Sequence, residues 1–94
     1  RTTVRGRRIL VRMPIEQVPL SEQAATLEPA QYGGPVRRAE EPLEVSAWIH
    51  TRRGHARVDA TALAWTQKAV WIRYIDDHGR EGFAWVWASA VTRR

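Results

Sequence analysis

The tryptophans carry the clearest candidate binding chemistry in this sequence. Five occur in 94 residues, and an indole ring can stack on a nucleic-acid base or fill a pocket of a protein partner. Near the C-terminus, the stretch FAWVWA alternates large aromatic residues with small ones, as a strand with two different faces does. The small residues Ala84, Val86 and Ala88 fit a tight barrel interior. We therefore expect Trp85 and Trp87 on the outer face.

The same reasoning places Trp48 outside. It alternates with an apolar face made of Leu43, Val45, Ala47 and Ile49. Trp48, Trp85 and Trp87 are thus the candidate aromatic binding surface, and Phe83 is the aromatic residue of the last stretch most suited to a structural role. The opposite arrangement, with Phe83 and Trp85 in the core, is the alternative, because small barrels also bury aromatic residues.

Arginines are the second set of candidate ligand-binding residues, because a guanidinium group can contact a phosphate through two hydrogen bonds. The candidates lie on the N-terminal arm, the first hairpin and the C-terminal tail: Arg5, Arg7, Arg8, Arg52, Arg53, Arg57, Arg93 and Arg94. The chain carries a formal charge of +5, with basic ends and an acidic middle, which favours an anionic partner. An excess of arginine over lysine is also typical of a GC-rich genome, and a solvated hairpin tip is the alternative for any single arginine.

Catalysis and metal binding have little support in the sequence. His50, His55 and Asp59 contain suitable atoms, but we expect their spacing to place the two histidines near opposite faces of a hairpin or on its turn. The DDHG stretch at 76–79 fits a turn for local reasons, because aspartate accepts hydrogen bonds from backbone amides and glycine takes a positive φ. The chain has no cysteine. The sequence predicts a non-enzyme without metal, cofactor or small-molecule substrate.

Length and composition limit the chain to one small domain. Its hydrophobic content of 44% and charged content of 27% are typical of globular proteins. The lack of cysteine accords with a cytoplasmic location, and no apolar run approaches the roughly 20 residues of a membrane span. No signal peptide is visible. The chain begins with Arg1 instead of methionine, which we interpret as a piece of a longer protein.

The elements that must position these residues are predicted from residue 43 onward, where apolar residues recur with the period of two typical of strands. Four strands are separated by turns at 52–55, 66–68 and 76–80, and a short fifth strand starts at Val91. Residues 60–65 are predicted to be strand, and a short helix is the alternative, because ATALA has high helix propensity. Short hairpin connections predict an antiparallel meander.

Residues 1–42 have a different character. Residues 7–13 form either a short edge strand that ends at Pro14 or an unstructured basic arm. Residues 14–42 contain most of the prolines and glutamates and are predicted to be a long loop or tether. A turn or two of helix is possible from Ser21 as N-cap to the residue before Pro29.

The stretch GREGFAWVWASAV, residues 79–91, resembles the end of an SH3-like barrel. In such barrels a glycine-containing turn leads through a 3₁₀ turn, here Ala88–Ala90, into a short valine-led strand. The resemblance covers residues 43–94 and implies an all-β, small antiparallel barrel like those of bacterial SH3-like, Tudor-like and KOW-like modules. The residue before the 3₁₀ turn is Trp87 instead of proline, so the resemblance does not imply recognition of proline-rich peptides. This barrel hosts many functions.

Taken together, these features predict a non-catalytic binding module: a basic arm and acidic loop over 1–42, and a barrel over 43–94. Nucleic acid is the favoured partner, held by the arginines with Trp48, Trp85 or Trp87 as the stacking surface. The alternative is an interaction domain of a larger bacterial or phage assembly, which docks another protein through the same aromatic residues.

Overall fold

A computed structural model describes residues 15–94, which fold into one five-stranded antiparallel sheet. The strands are β1 (Arg37–Thr51), β2 (Gly54–Trp65), β3 (Ala69–Ile75), β4 (Glu81–Trp87) and β5 (Val91–Arg93), in the order β4-β3-β2-β1-β5. Helical structure in this part of the chain consists of the short α1 (Pro29–Tyr32) and two 3₁₀ turns, Leu20–Glu22 and Ala88–Ala90. The predicted all-β, antiparallel, barrel-like fold is confirmed. The barrel is not closed by strand pairing, because β4 and β5 are the two edges.

The basic arm predicted for residues 7–13 lies outside the described residues, and so do Arg5, Arg7 and Arg8. Among the described residues, none of the helices has the length and apolar character that crossing a membrane requires.

The hairpin connections form at the three places that the sequence predicts, although the first is shorter than predicted, because β2 already starts at Gly54. Gly54 and Gly79 have φ values of 112° and 76°, a region that favours glycine. The Asp76 carboxylate accepts the backbone N–H groups of His78 and Arg80 at 2.9 and 2.8 Å. Residues 60–65 belong to β2, so the strand interpretation is confirmed. Their helix-prone alanines pair with β1 and β3 on both sides, and this pairing outweighs local propensity.

The core lies on the inner face of the curved sheet and is rich in alanine. Its buried members from the strands are Val45, Ala47, Ile49, Ala60, Ala62, Ile72, Tyr74, Ala84 and Val86. The inward positions predicted for β1 and β4 are confirmed except for two. Leu43 is exposed, and it lies where the register between β1 and β2 shifts. Ala88 is exposed because it belongs to a 3₁₀ turn beyond the end of β4, where strand alternation no longer applies.

Residues 15–28, which we call the strap, cross the open side of the barrel between β4 and β1. At one end, the Val18 N–H donates to the Glu81 carbonyl at 2.9 Å. At the other end, the Ala25 N–H donates to the His50 carbonyl at 2.7 Å, and the Leu27 N–H donates to the Trp85 carbonyl at 3.0 Å. The strap therefore supplies part of the closure that the strands leave incomplete.

Of the two predicted forms of this segment, the loop is confirmed and the tether is wrong. Val18 and Ala24 are buried in the core cluster, so the strap is a structural part of the barrel. The helix predicted from Ser21 is also absent: a 3₁₀ turn occupies Leu20–Glu22 and α1 starts only at Pro29. The amides of Ala25 and Leu27 bond to the sheet instead of to a preceding helical turn. Strand β1 begins at Arg37, earlier than the predicted start at Leu43.

Tyr74 joins the strap to the sheet from inside the core. Its hydroxyl accepts the Ala24 N–H at 3.0 Å, and both residues are buried. Its ring lies against Gly82, the residue directly opposite on β4, where a Cβ atom would overlap the ring. Gly82 is therefore required by packing. It lets the tyrosine ring reach across β4 to the strap.

Loss of the Tyr74 hydroxyl should loosen the strap. Tyr74→Phe leaves the buried Ala24 N–H without its acceptor, and we expect the free energy of unfolding to fall by about 1–3 kcal/mol. Chemical denaturation measures this loss, and hydrogen exchange should accelerate at the amides of Ala24, Ala25 and Leu27. Tyr32→Phe is the matched control, because that hydroxyl makes no hydrogen bond to another described residue. Equal effects of the two substitutions would contradict the role of Tyr74.

Candidate binding groove and arginine cleft

The strap, β1 and β4 together form a groove of about 550 Å³ along the line where the strap closes the barrel. We call it the seam groove. Its walls come from strap residues 25–27, from residues 48–50 of β1 and from residues 85–87 of β4, with Gln31, His55 and Ala90 at its margins. All three predicted aromatic binding residues, Trp48, Trp85 and Trp87, line it. Although β1 and β4 are not neighbours in the sheet, the strap bonds to both strands and connects them.

Trp85 is held in place from several sides. Tyr32 stacks on its ring at a centroid distance of 4.0 Å and an interplanar angle of 13°. The backbone of Trp85 is bonded to the strap in both directions, since its N–H donates to the Thr26 hydroxyl at 2.8 Å and its carbonyl accepts the Leu27 N–H. Trp85 is half-buried as a result. It forms a fixed wall of the groove and has only limited surface for a ligand.

Trp48 and Trp87 are the open aromatic surfaces of the groove. They are 51% and 45% exposed, although a tryptophan normally gains free energy from burial. Trp48 extends from the outer face of β1, and Trp87 lies at the end of β4, next to the 3₁₀ turn. The predicted outward direction of both residues is confirmed. They are the side chains most able to contact a ligand in this groove.

Phe83 differs from its expected structural role, because it is 38% exposed. It belongs to an aromatic row on the outer face of β3 and β4. Trp71 lies 5.8 Å from Phe83 and 5.7 Å from Trp85 between ring centroids, and Tyr32 stacks on the far side of Trp85. The row covers the outer face of these strands, so the aromatic residues of β4 lie outside while Ala84 and Val86 fill the interior.

His50 and His55 add polar groups to the seam groove. They are directly opposite each other on β1 and β2, with ring centroids 4.5 Å apart. The expectation that they lie near opposite faces or on the turn was wrong. Thr51 pairs with Gly54 across the turn, so the next pair is His50 with His55, and side chains of directly paired residues lie on the same face of the sheet. Asp59 pairs instead with Ser46 across the sheet. Within residues 15–94, no group of three or more potential ligands could hold a metal ion.

The predicted arginines line a different concave surface. Arg52, Arg53 and Arg57 border a cleft of about 520 Å³ between the β1–β2 hairpin and the β3–β4 turn, which we call the hairpin cleft. All three are exposed. They share the cleft with four carboxylates, of Glu22, Asp59, Asp76 and Asp77, and with Arg80. The arginines and the tryptophans thus lie in separate depressions, and Arg57 and Trp48 are the pair that directly adjoins across β1 and β2.

Arg80 organises the wall of the hairpin cleft. Its guanidinium group contacts Glu22 of the strap and Asp76 of the β3–β4 turn, each at 2.8 Å. The hydrogen bond from Arg80 lowers the pKa of Glu22. Burial opposes ionisation of Asp76, but hydrogen bonds from Arg80 and from the His78 amide outweigh it and lower the pKa of that carboxyl. Both carboxylates raise the pKa of Arg80. This triad is a second attachment of the strap.

Arg93 and Arg94 lie at the β5 edge. Arg93 is exposed. Arg94 is engaged, because its guanidinium group contacts Glu44 at 3.1 Å and Asp59 at 3.8 Å and donates to the Val45 carbonyl. It therefore attaches β5 to β1.

Charge is distributed unevenly between the arm and the fold. Residues 15–94 contain nine arginines and one lysine against seven glutamates and three aspartates, which gives a formal charge of zero. The whole +5 of the chain therefore comes from the five arginines of residues 1–14. Among residues 15–94, no aspartate, glutamate, lysine or arginine lines the seam groove.

Sequence reasoning missed Tyr32 and Gln31. Both lie in a stretch interpreted as linker, yet Tyr32 covers Trp85 and Gln31 borders the groove. A local signal was present: proline follows Glu28, and the Gln31 side chain accepts the Glu28 N–H at 2.9 Å, the spacing of a helix start. The sequence could thus have indicated α1, although not its contact with β4.

Comparison with family models, with curated proteins and with solved structures found no significant match to this chain.

The Arg80 triad should make stability depend on pH on the acid side. Glu22 and Asp76 have lowered pKa values in the folded state, so their stabilisation is present above their unfolded pKa values and is lost as pH falls through the folded ones. We expect the free energy of unfolding to decrease below about pH 4, and to decrease less steeply in Asp76→Asn. Denaturant titrations across the acid range test this.

Asp77→Asn is the matched control, because Asp77 is adjacent, largely exposed and not bonded to Arg80. It should retain the acid dependence of the unmodified chain. If the free energy of unfolding depended on pH in the same way for Asp76→Asn and Asp77→Asn, the role of the triad would be contradicted.

Proposed function

We propose that this chain is a non-catalytic binding module that holds a segment of a partner protein in the seam groove. The observation that carries the proposal is the convergence of Trp48, Trp85 and Trp87 on one groove without a charged side chain in its lining. Half-exposed tryptophans in a concave surface are typical of protein-binding hot spots. A groove of this volume accommodates a few side chains of an extended segment.

The three tryptophans have different proposed roles because they differ in burial. Trp85 is fixed by Tyr32 and the strap and forms a rigid wall, while Trp48 and Trp87 provide the more exposed surfaces that contact the ligand. The His50–His55 pair, Gln31 and the Thr26 hydroxyl offer polar contacts at the margins. Apolar or aromatic ligand side chains would be buried between the indole rings, and the polar groups would orient the ligand backbone.

Nucleic acid stands second to a protein segment on electrostatic grounds. Binding to a phosphate backbone is driven by lysine and arginine side chains that neutralise phosphates. The seam groove has none, and the arginines of the hairpin cleft face four carboxylates. A nucleic-acid function would rely on the arginines of the first fourteen residues, together with the exposed Arg52, Arg53 and Arg57.

Substitution of the groove tryptophans tests the protein-binding function. Peptides selected from a random display library against the full chain should bind it in fluorescence anisotropy titrations. Trp48→Ala and Trp87→Ala should each weaken binding by at least about tenfold, because central interface tryptophans are typical hot spots. Neither change should greatly alter stability, since both side chains are about half exposed.

Trp65→Ala is the matched control, because Trp65 is also a partly exposed tryptophan, at 38%, but does not line the groove. It should bind the selected peptides as the unmodified chain does. Equal binding by all three variants, or selection of no groove-dependent peptide, would reject the proposal.

Salt dependence tests the second function. If the full chain binds single-stranded or duplex oligonucleotides, the logarithm of the association constant should fall linearly with the logarithm of salt concentration. The Arg52→Glu/Arg53→Glu/Arg57→Glu variant should then bind more weakly, while Trp48→Ala tests base stacking. We expect weak, salt-sensitive binding at most. Tight oligonucleotide binding that depends on both Trp48 and the arginines would favour nucleic acid over a protein segment.

A further inference from the structure

The first half of β1 has one edge that the described residues leave uncovered. Strand β5 pairs only with residues 45–47 of β1, and the Arg94 N–H extends this contact to the Glu44 carbonyl at 3.2 Å. Within residues 15–94, no backbone hydrogen bond reaches residues 37–43 from the β5 side. The charged residues of this stretch, Arg37, Arg38, Glu40 and Glu41, are all exposed.

The backbone of this stretch can accept another strand. Successive residues of a strand direct their N–H and carbonyl groups to opposite sides. Glu44 directs its carbonyl to the β5 side. The register between β1 and β2 shifts between Arg38 and Leu43, but all of Arg37–Thr51 is strand. Alternation counted back from Glu44 therefore places the peptide groups of Arg38 and Glu40 on the uncovered edge. Unpaired groups at such an edge are a template for pairing with another chain.

The charge pattern of the same residues is self-complementary. In the sequence RRAEE, residues 37–41, an antiparallel two-fold pairing centred on Ala39 sets Arg38 opposite Glu40 of a second copy. It also sets Arg37 opposite Glu41. Each pair occurs twice, and no like charges face each other. A slip by one residue keeps only half of these pairs, so the charges specify the register.

We propose that two copies of this chain associate through antiparallel pairing of residues 37–41 at this edge. The register that forms the four ion pairs also places the backbone N–H and carbonyl groups of Arg38 opposite those of Glu40 in the second copy. Backbone pairing and charge pairing therefore favour the same arrangement. Pro42 has no N–H and ends the ladder after Glu41. Val36, Leu43 and Trp65, which are exposed apolar residues near this stretch, add area to the contact.

A protective edge would have a different charge pattern. Edges that avoid pairing often carry charges such as lysine that repel a second copy. Here the two signs are placed symmetrically about Ala39, so a second copy is attracted. The contact is short, and we expect a weak, concentration-dependent dimer. The dimer contact uses none of the residues that line the seam groove, so the proposed dimer is independent of the proposed function.

Sedimentation velocity of the full chain over a concentration series tests the dimer. The unmodified chain should shift from monomer to dimer as concentration rises. Arg37→Glu/Arg38→Glu and Glu40→Arg/Glu41→Arg should each weaken self-association by at least about tenfold, because like charges then face each other. An equimolar mixture of these two variants should form a heterodimer, and the variant that combines all four changes should dimerise again.

The matched control is Arg52→Glu/Arg53→Glu, which makes the same charge change on the hairpin and should dimerise like the unmodified chain. Recovery in the mixture cannot come from unfolded protein, so it separates a lost interface from a misfolded variant. A monomer at every concentration would overturn the proposal, whatever else occupies the edge. A dimer that both charge-reversed variants retain, or a mixture that fails to associate, would overturn it equally.

Discussion

The attachment of the strap to the open side of the sheet is the constraint on which the rest of the structure depends. Five strands in the order β4-β3-β2-β1-β5 leave β4 without a strand on its outer side, and ninety-four residues offer little apolar material to cover that side. The strap covers it with Val18 and Ala24, through backbone bonds to β4 and β1 and through the Tyr74 hydroxyl. The Arg80 triad holds the same segment from outside. Closure by a non-strand segment also creates the seam groove, since the groove exists only where the strap separates β4 from β1.

Small residues inside and large aromatic residues outside follow from the same geometry. A tightly curved sheet leaves little volume on its inner face, and Ala47 and Ala84 are fully buried there. The aromatic residues of β3 and β4 are consequently displaced to the outer face, where Tyr32 stacks on Trp85 and Trp71 lies beside it, and these contacts cover part of their surface. Trp48 and Trp87 have no such cover. Their exposure supplies the surface on which the proposed function rests.

Charge divides the molecule into parts with different chemistry. Residues 15–94 are formally neutral, and four of their nine arginines border a cleft that also contains four carboxylates. The mixed charges of β1 lie at yet another place, on an uncovered strand edge. The aromatic groove, the arginine cleft and the strand edge can therefore be altered independently of one another. Such separation is useful in a binding module, because ligand binding and self-association then use different residues.

The sequence by itself determined the strands, the turns and the outward direction of Trp48, Trp85 and Trp87, because these depend on local alternation and on glycine and aspartate in the turns. The SH3-like assignment stays a prediction. Only the tertiary structure decided the role of residues 15–28. Their prolines and glutamates are typical of a linker, whereas the structure places Val18 and Ala24 in the core. It also decided that Tyr32 covers Trp85 and that Arg52, Arg53 and Arg57 line a different depression from the tryptophans, with Arg57 opposite Trp48. Contacts between residues fifty or more positions apart, such as Ala24 with Tyr74, leave no local pattern. Attachment of the strap by such contacts places Trp48 of β1 in the same groove as Trp85 and Trp87 of β4.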